Sequence, residues 1–310
     1  MADVQGTSTA NRIGNSDAQV DMYRQKHSRL LLKRFLRNKT AVVGLSIITL
    51  LVIVAIIGPW LSPWNYDDVD RRAYLQPPSL EHPLGTTQSG RDMWALTLHG
   101  LRKSLVIGLI VAVLSTGIAA LVGAFAAYYG GWIERFALWI IDLLLVIPAF
   151  LLIALVASNS PGGGSSWLLL VLLLTLFGWM LSARVVRSLT QSVRQRDYVV
   201  AARYMGLSGP RIILRHILPN IASLLIIDAT LNVSGAILAE TSLAYFGFGV
   251  QPPDTSLGTL LGDGARQLSS FPWLFAGPAI VIVLLILSVN AVGDGLRDAF
   301  DPGSASSKRE

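Results

Sequence analysis

Cysteine is absent from the 310 residues, which excludes disulfide scaffolds, thiolate metal sites, thiol nucleophiles and iron–sulfur clusters. Charge is scarce too. Asp, Glu, Lys and Arg make up 14% of the chain, against about 25% in an ordinary soluble domain, so a soluble single-domain enzyme is a poor fit. The four histidines, His27, His82, His99 and His216, are too scattered for a local zinc motif. None of Lys26, Lys33, Lys39, Lys103 or Lys308 follows a glycine, so the Gly-Lys-Ser/Thr of a phosphate-cradling P-loop is missing. What the sequence has instead is apolar bulk: 52% of residues are hydrophobic and the mean hydropathy is +0.55. The net charge of +6 does not point to nucleic acid, because the basic residues fall in blocks between long apolar runs rather than on one face. That is the pattern of a membrane protein.

Residues 1–26 are small, polar and without apolar period, and read as a disordered cytoplasmic tail. Residues 27–39 form a basic juxtamembrane stretch with Leu30, Leu31, Leu32, Phe35 and Leu36, suited to an anionic membrane surface. Six apolar segments follow, near 40–61, 104–129, 136–157, 167–183, 220–240 and 273–292, each about long enough to cross a ~30 Å hydrocarbon core as a helix. The first ends in Gly-Pro-Trp without a small-x-small cleavage site, so it reads as a retained first transmembrane helix, not a signal peptide. An outer loop is expected at 62–103, a flexible connection at 158–166, the remaining helical body at 104–302, and a C-terminal tail at 303–310.

Basic residues near spans stay on the cytoplasmic side. With the N-terminus inside, 19 of the 25 Lys and Arg residues fall on inner segments and 6 on outer ones, Arg102 and Lys103 among the latter. The expected fold is therefore an all-α membrane protein with six transmembrane helices and both termini cytoplasmic. One inner loop, at about 184–219, stands out with seven arginines from Arg184 to Arg215 and a single acid, Asp197. Its sequence divides into a helix ending near Met205, a break at Gly206–Gly209, a second helix opened by Pro210, and a stop at Pro219. The small pair Ala201 and Ala202 would permit close approach by another surface.

This loop resembles the cytoplasmic loop of inner-membrane permeases of bacterial ABC importers, which has the form Glu-Ala-Ala, three residues, Gly, nine residues, Ile, one residue, Leu-Pro. Ala201, Ala202, Gly206, Leu218 and Pro219 fall on that spacing, with Val200 at the Glu position and His216 at the Ile position. Asp197, three residues before Val200, would face the same way on a helix. The resemblance narrows to the oligopeptide/dipeptide branch and its second, C-type permease subunit through RNKTAVVGL at 37–45, HPLGTTQSGRDMWALTLHGLRKSL at 82–105, RDYVVAARYMG at 196–206, ETSLAYFGFGVQPPDTSLGTLL at 240–261 and NAVGDGLRDAFDP at 290–302.

The resemblance implies a type I ABC importer permease in the bacterial cytoplasmic membrane, itself non-catalytic and binding no cofactor. Its implied partners are a second permease subunit, two P-loop ATPase subunits carrying ATP and Mg, and an extracytoplasmic substrate-binding protein. The segment Asp197–Met205, with Arg203, would be the coupling helix seated on an ATPase subunit. The implied cargo is short peptides; a nickel chelate, glutathione or another small solute would suit the same architecture.

Acids inside apolar spans are costly and mark functional candidates: Asp142, Asp228 and Glu240 would either face the path and meet a peptide's amino terminus or serve as helix-packing hydrogen bonds. An ion-coupled secondary transporter could also use them, but no pair of similarly interrupted helices in corresponding halves is evident. Ala119, Gly123 and Ala127 have the spacing for close helix packing in lipid.

Overall fold

The computed structural model describes residues 30–158 and 166–300. The expected N-terminal and C-terminal tails and most of the 158–166 connection lie outside them. All the regular elements among the described residues are helical, with one isolated antiparallel bridge between Thr86 and Asp92.

A short helix α1 over 30–37 leads into α2 (Lys39–Leu61), α3 (Met93–Tyr129), α4 (Gly131–Val146), α5 (Ala149–Ser158), α6 (Ser166–Gly178), α7 (Met180–Arg194), α8 (Asp197–Tyr204), α9 (Gly209–Ile212), a π-helical turn at Ile213–Ile217, α10 (Ala222–Tyr245), α11 (Leu257–Ala265) and α12 (Trp273–Phe300). Four of these, α2, α3, α10 and α12, are single helices long and apolar enough to cross a membrane. The other two crossings expected from the sequence appear as bent pairs. The α4–α5 pair turns by 69° and the α6–α7 pair by 41°. Pro148 accounts for the first bend: it removes a helix hydrogen bond, and Ile147 before it is extended at φ −78°, ψ 125°.

The second long apolar helix, α3, begins at Met93, well before the expected apolar onset at Ser104. Asp92 explains the difference: its Oδ1 accepts from the Ala95 amide at 2.7 Å, closing the first turn ahead of the hydrophobic run. At 37 residues, α3 is about 55 Å long, more than a hydrocarbon core requires, and it is the central post of the molecule. It packs against α2, α6, α7, α10 and α11.

The expected small-residue stripe lies at the α3–α7 contact. Ala119 and Ala183 are fully buried, and a Cβ on Gly123 would stand 2.5 Å from the Ala183 carbonyl, so no larger residue fits without moving α7. Asn38 caps α2 through the Ala41 amide and donates from Nδ2 to Asp298 Oδ2 at 3.0 Å, placing the start of α2 beside the end of α12. Outward faces remain apolar: Leu50, Ile57, Trp132, Leu151, Leu238 and Leu287 are all exposed, a surface that calls for hydrocarbon or another apolar partner.

Candidate functional site

The loop that the sequence singled out is built around α8. Arg196 is extended before it, and Asp197 opens its first turn, where a carboxylate suits the positive helix end. Val199 and Ala202 face inward to an apolar cluster with Ala124, Val186, Val193, Ile212, Ile213, Ile217 and Ile221. Asp197, Val200, Ala201, Arg203, Tyr204 and Met205 are exposed. The small pair is therefore divided: Ala202 lets α8 sit close on its own chain, and only Ala201 is on the outer side.

The loop ends α8 with a Schellman turn. Gly206 donates to Arg203 O at 3.1 Å and Leu207 to Ala202 O at 3.2 Å. Gly206 has φ +80° with nothing within 4 Å of a would-be Cβ, so glycine is required here by backbone conformation, not by space. A Cβ on Gly209 would fall 2.6 Å from Tyr129 Oη, which seats the second half of the loop against the end of α3. Leu218 closes the π turn by donating to Ile213 O at 2.9 Å, and Pro219 is exposed in the turn that follows.

Two of the loop's arginines fasten it to the bundle. Arg194 Nη1 donates to Ala127 O at 2.8 Å and Tyr128 O at 3.1 Å, satisfying carbonyls at the end of α3. Arg187 Nε donates to Glu134 Oε1 at 2.5 Å, with Gln191 Nε2 on the same oxygen at 2.8 Å. Arg196, Arg203, Arg211 and Arg215 are exposed.

The three intramembrane acids do not converge; each has its own partners. Asp142 pairs with Arg184, both well exposed. Asp228 ties three helices: its Oδ2 accepts from Thr116 Oγ1 and Asn232 Nδ2, each at 3.0 Å, and its Oδ1 from Ser182 Oγ at 2.9 Å. Glu240 is fully buried, and its Oε1 accepts from Ser256 Oγ at 2.5 Å while Ser256 caps α11 through Thr259 N at 3.1 Å. A Cβ on Gly258 would stand 2.7 Å from Glu240 Oε2, so α11 depends on glycine to lie against α10. Asp228 is thus hydrogen-bonded through both oxygens, whereas Glu240 is held through Oε1 and its buried Oε2 has no hydrogen-bond partner among the described residues.

The opposite end of the bundle, formed by residues 62–92 and 246–272, holds polar groups that sequence reasoning missed. Asp254 receives Lys103 Nζ at 2.9 Å and lies 3.2 Å from His99 Nε2. Burial pushes the Asp254 carboxyl up, but hydrogen bonds and charge from Lys103 and His99 outweigh it and hold the group below the usual carboxylate range. Tyr66 stacks on His99 at 3.8 Å between ring centroids, and Lys103 Nζ stands 4.8 Å over the Trp167 ring. Lys103, which stood against the charge count, is thus neutralised within its own chain. A cavity of about 300 Å³ beside this cluster is lined by Gln88, Arg91, Asp254, Asp263, Arg266 and Gln267, among others. The signal for this end was present only as single polar residues far apart in the chain.

Residues 119–305 match the family described as "Binding-protein-dependent transport system inner membrane component", and residues 28–78 match "N-terminal TM domain of oligopeptide transport permease C". The chain is 53% identical over 280 residues to the oligopeptide transport system permease protein OppC of Mycobacterium tuberculosis (strain ATCC 25618 / H37Rv), covering 90% of this chain and 96% of that one. It is 36% identical over 276 residues to the protein of the same name from Haemophilus influenzae, covering 87% and 86% respectively. Among solved structures, an inward-facing form of the MetNI methionine ABC transporter is similar with TM-score 0.52 and 18% identity, covering 67% of this chain and 98% of that one. At that identity the likeness bears on the fold alone.

Proposed function

The chain belongs to the family of binding-protein-dependent inner-membrane transport components, of the oligopeptide permease C type, and from that membership we propose how it works: as one permease half of an ATP-driven importer of short peptides, coupled through α8. It is a multi-pass inner-membrane subunit, and ATP hydrolysis belongs to separate ATPase subunits. The observation that carries the reading is the similarity over nearly the whole of both chains to an oligopeptide permease. In this proposal the α8 end faces the cytoplasm, in keeping with its arginines, and both chain ends lie on that side. The contact between Asn38 and Asp298, which brings the first and last spans together at one end, supports the latter.

The geometry of α8 suits force transmission. Its inner side is locked by Val199 and Ala202 into a cluster containing residues of α3, α7 and the π turn, so a push on the exposed side moves packed elements together. The exposed side presents Ala201, Arg203, Tyr204 and Met205 to a P-loop ATPase, with ATP and Mg bound there and not by this chain. A second permease subunit would complete the path, and an extracytoplasmic binding protein would deliver peptide to the end bearing α11. For Asp228 and Glu240 the surrounding hydrogen bonds favour packing; Asp142, paired with Arg184 on an exposed face, is the acid best placed to meet a partner or the path.

The test is purification of the tagged chain from mild detergent, identification of co-purifying subunits by mass spectrometry, and an ATPase assay with added peptides. A second permease, P-loop ATPases and peptide stimulation that requires a binding protein are expected. An intact chain recovered alone, with no associated ATPase, would overturn the proposal.

A further inference from the structure

Residues 62–92 contain a polar constellation to which transport assigns no role. His82 is 1% exposed, as is Asp92. His82 Nδ1 lies 2.8 Å from Asp92 Oδ2, while Asp92 Oδ1 accepts the Ala95 amide at 2.7 Å. An ionised carboxylate only accepts, so Nδ1 bears a proton, and in the neutral imidazole Nε2 keeps its lone pair. That buried Nε2 has no hydrogen-bond partner among the described residues. Asp70 Oδ2 faces it at 3.7 Å, beyond hydrogen-bond reach. Glu81 is the third member: one ligand atom from each of Asp70, Glu81 and His82 lies within 4.8 Å of the other two.

We propose that Asp70, Glu81 and His82 bind a divalent transition-metal cation of the zinc class, with Asp92 as the carboxylate that orients the imidazole. A ligating histidine that donates its other ring N–H to a carboxylate is the usual outer-shell arrangement of such sites. Zinc–ligand bonds of about 2.0–2.1 Å put tetrahedral ligand atoms roughly 3.3 Å apart, so the 3.7 Å between Nε2 and Asp70 Oδ2 closes with a shift of a few tenths of an ångström. Glu81 is exposed and able to swing inward. Two carboxylates and a neutral imidazole balance a dication, and the nitrogen ligand argues against calcium or magnesium, which take oxygen.

The backbone holds the ligands in place. His82 N donates to Ser79 Oγ at 3.0 Å, and His82 O accepts from Ser79 N and Gly85 N, both at 2.9 Å. Asp70 N donates to Gly90 O at 2.8 Å, and Asp70 Oδ1 accepts from Arg72 N at 2.8 Å, leaving Oδ2 toward the imidazole. The Trp64 ring lies 5.1 Å from the His82 ring. A metal here would tie Asp70 to His82 and, through Asp92, to the first turn of α3. The rival occupant is a second proton, which would make His82 an imidazolium between Asp70 and Asp92.

The experiment uses the assembled transporter in detergent, stripped with a chelator and titrated with zinc, comparing the unchanged chain with Glu81→Gln and Asp70→Asn. Metal content per copy of the chain and amide exchange across residues 70–92 are the readouts. The unchanged chain should take up one zinc that the variants bind about tenfold more weakly or worse, and zinc should slow exchange in that segment only when both carboxylates are present. Glu81→Gln alters an exposed side chain, so unchanged metal-free melting would show that it still folds. Equal zinc uptake by all three chains, or no zinc-dependent slowing in 70–92, would overturn the proposal; the second result is what the imidazolium gives.

Discussion

At the α8 end, Arg196, Arg203, Arg211 and Arg215 are exposed around a short helix held from beneath by apolar contacts; at the α11 end, Lys103, His99 and Asp254 are drawn into pairs, and His82 is enclosed with Asp92. Charge left outward offers itself to another molecule, whereas charge turned inward fixes the chain's own loops. The first end therefore adds the Arg187 and Arg194 anchors to apolar burial and leaves its other arginines outward, whereas the second draws its charges into contacts within the chain. Substitutions that exchange these two kinds of support should have effects of different size and different kind.

The largest effect expected is at Asp92. Asp92→Ala removes the α3 cap, worth about 1 kcal/mol, and leaves the buried His82 Nδ1–H without an acceptor, worth about 2 kcal/mol more. Thermal melting of the solubilised complex should fall accordingly, and amide exchange should accelerate in residues 62–96 while α8 stays protected. Acceleration at both ends alike would dissolve the distinction between them.

Next in size is Ala202→Leu, which forces a larger side chain into the cluster beneath α8 at a cost of about 2 kcal/mol. Here the activity readout matters more than stability: peptide-stimulated ATP hydrolysis should drop while membrane insertion and the 62–92 segment are unaffected. Gly206→Val comes third, since a branched residue at φ +80° costs about 1–2 kcal/mol in a left-handed conformation. It should loosen the end of α8 and weaken coupling in the same direction. Retained coupling in both variants would refute α8 as the coupling element.

How much of this was legible in the sequence differs between the two ends for the same physical reason. Gly206 and Pro210 are local signals, and they located the break between α8 and α9 because a helix stop is decided within a few residues. The inward turn of Ala202 was not legible, since Val199, Val200, Ala201 and Ala202 are all apolar and an eight-residue helix gives no period to choose among them. The start of α3 was in the sequence as Asp92, but the onset of hydropathy at Ser104 overrode it.

The long apolar runs made α2 and α12 plain, while the 69° bend at Pro148 follows from a proline whose geometric effect no composition reveals. Asp142, Asp228 and Glu240 stood out as acids in apolar runs. Their partners Arg184, Thr116, Ser182 and Ser256 lie on other segments, so whether each acid served packing or a path depended on tertiary contacts. The His82–Asp92 pair and the Lys103–Asp254 bridge were hidden in the same way.

The smallest effect expected concerns Asp254, where the α11 end can be loosened by protons without altering the α8 end. Because Lys103 and His99 hold its carboxyl below the usual range, the folded state binds this proton less readily than the unfolded chain, whose carboxyl titrates near about 3.9. The stabilisation is therefore complete above that value and is lost as pH falls through the lower folded one. Asp254→Asn should remove about 0.5–1 kcal/mol at neutral pH, the range of partly exposed ion pairs. It should also flatten the acid limb of the melting profile below about pH 4. The signature lies in the difference between the two chains: they should converge as pH falls, because protonating Asp254 breaks the same contacts that the asparagine lacks. A gap that stays constant down to pH 3 would mean that the charge on Asp254 does not hold residues 250–256 to α3, and that this end too depends chiefly on apolar packing.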